Sequence, residues 1–156
     1  FYDKENKILQ KNPIKQNDLF VPPLDINDSN IPNGNSVFLL NCKKLEAITN
    51  DTKWQGMAKE LGQSFHSFLN LKSTQMVSYI KNLDMCEELT TFTFFGDIKK
   101  IKELQQFVKK NYLKSSTLIY KENPKENYLI VCKNQTCSNK IESIEKLQSV
   151  VKNYAI

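Results

Sequence analysis

Thr90-Thr91-Phe92-Thr93-Phe94-Phe95-Gly96-Asp97 divides this 156-residue chain into two differently patterned parts. Its first six positions are all β-branched or aromatic, the composition of a pleated strand, and Gly-Asp ends the run as a turn. Before it, from residue 32, apolar residues recur at spacings of three and four, the helical period. After it the order is helix, strand, strand, helix. The fold class expected is therefore mixed, α+β or α/β: helical hairpins followed by a small α/β segment of about three strands and two helices.

Three helices are expected upstream. The first begins at Pro32 or Asn33 and runs to about residue 49, with Val37, Leu40, Leu45 and Ile48 as its apolar positions. Asn50-Asp51-Thr52 is a turn. Asp51 can accept from the next helix's free N–H groups, and Thr52-x-x-Gln55 offers a capping box one residue later. The second helix aligns Trp54, Met57, Ala58, Leu61, Phe65, Phe68 and Leu69 on one stripe. The third, over about 74–84, turns Met76, Val77, Ile80 and Leu83 inward. A short capped connection between helices of similar length predicts an antiparallel hairpin.

Downstream, a helix over 98–112 with Ile101, Leu104, Phe107 and Val108 inward should join parallel strands as a right-handed crossover. Strands are expected at 117–120 and 128–132, close enough in sequence to form a hairpin around Asn123-Pro124. A closing helix over 141–151 carries Ile144, Leu147 and Val151.

Pro13, Pro22, Pro23 and Pro32 are four of the five prolines, so 1–31 reads as an irregular segment ahead of a helical part, 32–86, and an α/β part, 87–156. The net charge is +5, yet every one of the 22 basic residues is Lys. These lysines alternate with glutamates (Lys99, Lys100, Lys102 and Glu103; Lys140, Glu142, Glu145 and Lys146), which is the pattern of solvated helix faces. Arg supplies the planar fork that reads phosphates and base edges, and its absence argues against a nucleic-acid partner. No run approaches the ~20 apolar residues of a membrane-spanning helix, so no membrane partner is expected. Cys42, Cys86, Cys132 and Cys137 are dispersed, which fits reduced thiols in the cytoplasm better than a disulfide scaffold. No signal-peptide pattern is visible.

Several landmarks occur in a fixed order: Phe1-Tyr2-Asp3, the stretch from Leu9 to Pro13, Pro32-Asn33-Gly34-Asn35-Ser36, and Val131-Cys132 with Cys137. Together they resemble the C-terminal end of the YyaL-type family, which includes the spermatogenesis-associated thioredoxin-like proteins. Asn33 stands where that family has Ser, and the Pro common near Ser73-Thr74-Gln75 is missing. The resemblance spans nearly the whole chain. It implies a parent with a thioredoxin-like domain and a six-hairpin (α/α) toroid similar to N-acylglucosamine 2-epimerases. On this reading the chain is a severed C-terminal piece, with the last toroid helices at 32–86 and an α/β appendage at 87–156. It is not catalytic by itself, and its parent's activity is carbohydrate-binding or sugar epimerase-like. The partners implied are the rest of the parent chain, a second copy, or a sugar.

Asn35 and Ser36 read two ways: as caps for a helix start, or as cleft-lining groups that bind sugar hydroxyls. Phe1, Tyr2 and Asp3 would share that rim, with Asp18 or Asp25 as a further carboxylate, though nothing in their spacing marks general acid–base work. Cys132 and Cys137 are separated more widely than the usual zinc or redox pair. A structural role or a loose thiol pair fits them better than a metal site, for which they are weak candidates, and no cofactor is expected. His66 is the only histidine, so it cannot form the His pair of the related epimerases. Catalytic residues are therefore unassigned. Two further readings remain. One is a non-catalytic protein-interaction module presenting Trp54, Leu61, Phe65 and Phe68. The other is an α/β domain binding a small ligand at the strand ends near Gly96-Asp97.

Overall fold

The computed structural model of the chain describes residues 1–11, 26–112, 116–133 and 136–153; Pro13, Asp18 and Asp25 lie outside these. The fold is mixed, with several helices and a small multi-stranded sheet. It divides into two compact units, Phe1–Cys86 and Glu87–Ile156.

In the first unit the opening residues are not irregular. β1 (Tyr2–Asp3) and β2 (Ile8–Leu9) pair antiparallel. Asp3 builds their turn, its Oδ1 accepting from the N–H groups of Glu5 and Asn6 at 2.9 and 3.1 Å. α1 (Gly34–Thr49) follows and ends at Asn50, whose left-handed backbone (φ 55°) brings its N–H to Glu46 O at 2.8 Å. Asp51 then caps α2 (Thr52–Lys72), accepting from Lys53 N–H. A 3₁₀ turn, Ser73–Gln75, leads into α3 (Val77–Glu87).

The core of this unit joins Ile8, Leu39, Cys42, Ala58, Leu61, Phe65, Met76 and Tyr79. The α2 stripe faces inward as its spacing predicts, with Leu61 and Phe65 buried and Trp54 and Phe68 packed beside them. It is therefore not a free surface for a partner.

α1 and α3 are rotated from the expected phase. α1 buries Asn35, Ser36, Leu39 and Cys42, and leaves Val37 and Ile48 42% and 49% exposed. α3 buries Tyr79 and Asn82, and leaves Val77 and Ile80 60% and 44% exposed. The physical reason is that the inward polar groups find partners. Tyr79 stacks on Phe65 (centroids 4.8 Å apart) and donates to Gly62 O, while Asn82 Nδ2 donates to Ser36 O at 3.0 Å. Hydropathy alone assigns those positions to water.

The second unit comprises β3 (Thr90–Phe95), α4 (Lys102–Asn111), β4 (Ser116–Lys121), β5 (Tyr128–Lys133), β6 (Thr136–Cys137) and α5 (Ile144–Asn153). The sheet order is β4-β3-β5-β6. β3 and β4 are parallel, as a helical crossover requires. The hairpin that the strands near 117 and 128 could have made does not form. β5 instead pairs antiparallel with β3, on the side away from β4. This puts Phe92 and Phe94 in the sheet centre, opposite Val131 and Leu129. All four are buried with Ile101, Leu104 and Val108 from the α4 side and Ile141, Leu147 and Val151 from the α5 side.

β6 is a fourth strand at the sheet edge. From the Cys132↔Cys137 pair to the Leu129↔Ile141 bridge, β5 advances three residues while the returning chain advances four. The additional residue makes a β-bulge.

The β3-to-α4 turn rests on Gly96, whose φ of 131° is unfavourable for any residue with a Cβ. A Cβ there would also lie 2.9 Å from Asn127 Cα. Gly96→Ala should therefore destabilise the second unit by about 1–3 kcal/mol, the range for a forced backbone conformation. Urea denaturation followed by sheet circular dichroism measures this, and an unchanged midpoint would contradict the turn geometry.

Candidate functional site

Of the residues expected to line a sugar cleft, Asn35 and Ser36 lie in the first turn of α1 and Phe1, Tyr2 and Asp3 at the β1–β2 hairpin, and most of their polar atoms bond to other parts of the chain. Asn33 is the N-cap, its Oδ1 accepting from the N–H groups of Asn35 (2.8 Å) and Ser36 (3.3 Å). Asn35 does not cap. Its Oδ1 accepts from Leu9 N–H at 2.6 Å, and its Nδ2 donates to Leu9 O at 3.0 Å. The Asn35 amide thus behaves as one more rung of sheet beside β2. Ser36 Oγ donates to Asn33 O at 2.7 Å and lies 2.8 Å from Ser78 Oγ. Asn33, Asn35 and Ser36 are all buried.

Asp28 completes this network, although nothing in its sequence surroundings marked it. Its carboxylate accepts from Ser78 N–H (2.6 Å), Asn33 N–H (2.9 Å) and the Ser78 hydroxyl. No local pattern could have found it, because Asp28 lies five residues ahead of Asn33, beyond the reach of an Asx turn, and fifty ahead of Ser78. Burial alone would raise the Asp28 pKa. The hydrogen bonds from the Ser78 side chain, Ser78 N–H and Asn33 N–H outweigh it and hold the carboxyl below its ordinary value.

On the β1–β2 hairpin, Asp3 accepts from Asn6 Nδ2 and Gln10 Nε2, both at 2.7 Å. The Asn6 side chain is the main reason its carboxyl is also lowered. Tyr2 donates to Glu60 Oε2 at 3.1 Å, and Lys7 Nζ reaches Glu60 Oε1 at 3.2 Å. Burial, followed by the Glu60 contact, pushes the Tyr2 phenol up to about 12. It is protonated at neutral pH and serves as the donor to Glu60. Phe1 is the one cleft candidate whose side chain is mostly open, at 66% exposure. His66 is exposed on α2.

The second unit has an open groove of about 550 Å³ at the carboxyl ends of β3 and β4. One wall is the turn from Gly96 to Lys100; the other is formed by Tyr120 and by Glu122, Asn123, Pro124 and Asn127. This is where a parallel strand pair leaves a crevice. Much of its polar lining fixes the turn. Asn127 Oδ1 accepts from Asp97 N–H at 2.9 Å, Asp97 Oδ1 from Lys99 N–H at 2.7 Å, and the Tyr120 hydroxyl donates to Gly96 O. Lys99 and Lys100 line the groove together with Asp97 and Glu122, giving mixed charge with no clear sign.

Cys132 and Cys137 are joined in a disulfide, not held as reduced thiols. They therefore offer no thiolates to a metal. Their spacing is too wide for the familiar redox motifs, but it suits two strands that turn back within a few residues. Cys42 is free and buried, and desolvation pushes its thiol up to about 11. Among the described residues no group of three or more His, Cys, Asp and Glu could hold a metal, and no helix is long and apolar enough to cross a membrane.

No family model, curated protein or solved structure matches the chain.

Two outcomes follow from the buried network. Asn35→Ala leaves both Leu9 backbone groups without this partner and should cost about 1–3 kcal/mol in urea denaturation with no ligand present. A neutral result would free Asn35 for a ligand role. The second outcome concerns pH. A carboxyl lowered in the fold contributes stability that is present above its ordinary pKa and lost as pH falls through its folded value. Asp28 and Asp3 both have this sign. Stability of the first unit should thus decline below about pH 4. Asp28→Asn should lower stability at pH 7 and flatten the acid limb in a pH series of urea melts.

Proposed function

We propose that this chain is the C-terminal part of a thioredoxin-domain-containing, six-hairpin toroid protein of the YyaL type. In that parent it supplies the final toroid helices and an α/β appendage, and no catalytic group. The parent's activity in this reading is carbohydrate-directed, as a sugar binder or an epimerase-like isomerase. The ordered landmarks from Phe1-Tyr2-Asp3 to Cys137 motivate it.

The observation that carries it is the pair of apolar faces left in water on α1 and α3. Val37 and Ile48 are eleven residues apart and so lie within about 20° of one another around α1. Val77 and Ile80 are neighbours on α3 by the three-residue rule. All four are more than two-fifths exposed, while α2 turns its main stripe inward. Helices of a closed toroid need apolar surface on more than one side, because each packs against several others. Covering a Val or Ile side chain fully is worth about 1.5–3 kcal/mol, so these faces favour a partner. The partner committed to here is the neighbouring helices of the parent toroid. The polar groups at the α1 start then hold the helix in place, and proton transfer to a sugar falls to residues of the remaining toroid.

The genomic frame upstream of the Phe1 codon tests the first part. A thioredoxin-like domain and further helical hairpins are expected there; a stop codon close upstream would refute the reading. For the second part, sedimentation of the chain across a concentration series should show self-association that Val37→Glu with Ile80→Glu reduces. A wild-type chain that stays monomeric at all concentrations would count against an unpartnered face. In parallel, the chain alone should not epimerise N-acylglucosamine or cellobiose, and turnover by it would overturn the non-catalytic assignment.

A further inference from the structure

Cys132 and Cys137 face each other across the antiparallel β5–β6 pair. The adjacent Val131–Ser138 pair carries the ladder bond, with Ser138 N–H donating to Val131 O at 2.8 Å. The cysteines consequently occupy the site without ladder bonds, where opposed Cα atoms come closest; here they are 4.1 Å apart. Alternation then sets which way they point. Val131 is wholly buried in the core, so its neighbour Cys132 projects from the opposite sheet face. Cys137 lies on the edge strand, and it and Thr136 are exposed while Cys132 is partly buried.

Opening this bond would leave the core in place. Beyond β6 the chain is held to β5 by Ser138 and by both backbone bonds between Leu129 and Ile141, at 2.8 and 2.9 Å. Ser138 Oγ accepts in addition from Val131 N–H at 3.1 Å. Ile141 stays buried beside Leu147 on the other side of the sheet. Cross-linking five positions apart in sequence also closes a very short loop, so the bond restrains the unfolded chain less than a longer cross-link would. These features fit a bond that is made and broken on the folded protein better than a structural staple.

We propose that Cys132 and Cys137 form a redox-active pair that exchanges with a dithiol reductant while the protein remains folded, Cys137 Sγ being the sulfur attacked. One reductant thiolate bonds to Cys137 Sγ. The Cys132–Cys137 bond breaks, and its electron pair leaves on Cys132 Sγ, which takes up a proton. The second reductant thiol then displaces Cys137 Sγ and closes the reductant's own disulfide. Two electrons and two protons pass to the pair, and the reductant is oxidised by the same amount. Cys42 takes no part, because it is wholly buried.

The oxidised chain, incubated with dithiothreitol in native buffer, quenched and alkylated, tests this by mass spectrometry. Both Cys132 and Cys137 should become alkylated at a rate proportional to dithiothreitol concentration, with unchanged far- and near-ultraviolet circular dichroism. A rate independent of dithiothreitol and equal to that of global unfolding would overturn the proposal. The site of attack is read from single variants. Cys137 in Cys132→Ser should react with a disulfide reagent about tenfold faster than Cys132 in Cys137→Ser, as exposure dictates. The reverse order would overturn the assignment of the attacked sulfur. The wild-type rate law decides the main claim even if either variant fails to fold.

Discussion

Two buried asparagine side chains and one aspartate fix where α1 begins, and the rest of the first unit is built on that position. A helix start exposes N–H groups that burial would leave unsatisfied, at a cost comparable to a lost hydrogen bond for each. Asn33 answers two of them directly. Asn35 is then free to turn its amide toward Leu9, which attaches the β1–β2 hairpin to the helix. Asp28 joins the same point to α3 through Ser78. Hairpin, first helix and third helix therefore meet at one polar node, and the apolar core of Ile8, Leu39, Phe65 and Tyr79 fills the space beneath it. A node of this kind specifies geometry more than it adds energy, since each net hydrogen bond is worth only about 1 kcal/mol.

The second unit depends on a different constraint, the strict alternation of strand side chains. β3 sits between a parallel and an antiparallel neighbour, and its buried residues Phe92 and Phe94 lie over the same helices from both pairings. Phe95 points the other way, where it stacks on Tyr128 with centroids 4.7 Å apart and takes Lys121 over its ring. The turn after it is closed to a side chain, because a Cβ on Gly96 would collide with Asn127.

Local pattern made the second unit legible, and it made the first only half so. Strands β3, β4 and β5 and the inward faces of α4 and α5 follow from β-branched runs and a clean three-and-four period, since nothing competes with hydropathy there. α1 and α3 defeat the same method. Their buried faces include Asn35, Ser36, Tyr79 and Asn82, and such residues enter a core only when partners distant in sequence satisfy them, such as Leu9 for Asn35 and Ser36 for Asn82. Strand neighbours posed a similar difficulty: β4 and β5 are adjacent in sequence, yet β3 separates them in the sheet. Among the functional candidates, the crevice beside Gly96-Asp97 lies where the strand-end rule places it. The cystine was missed because dispersed cysteines say nothing about register, and the two-residue strand that aligns this pair is too short to leave a periodic trace.

The bulge between β6 and Ile141 sets a rule of parity for this part of the chain. In an unbroken ladder, Cys137 and Ile141, four apart, would point to the same side of the sheet. One must meet Cys132 on the outer face and the other must enter the core, and the additional residue makes both true. Removing one residue from 138–140 would leave Cys137 and Ile141 three apart, so a plain ladder would keep the cystine outside and the isoleucine in the core, whereas adding or removing two would call for a bulge again.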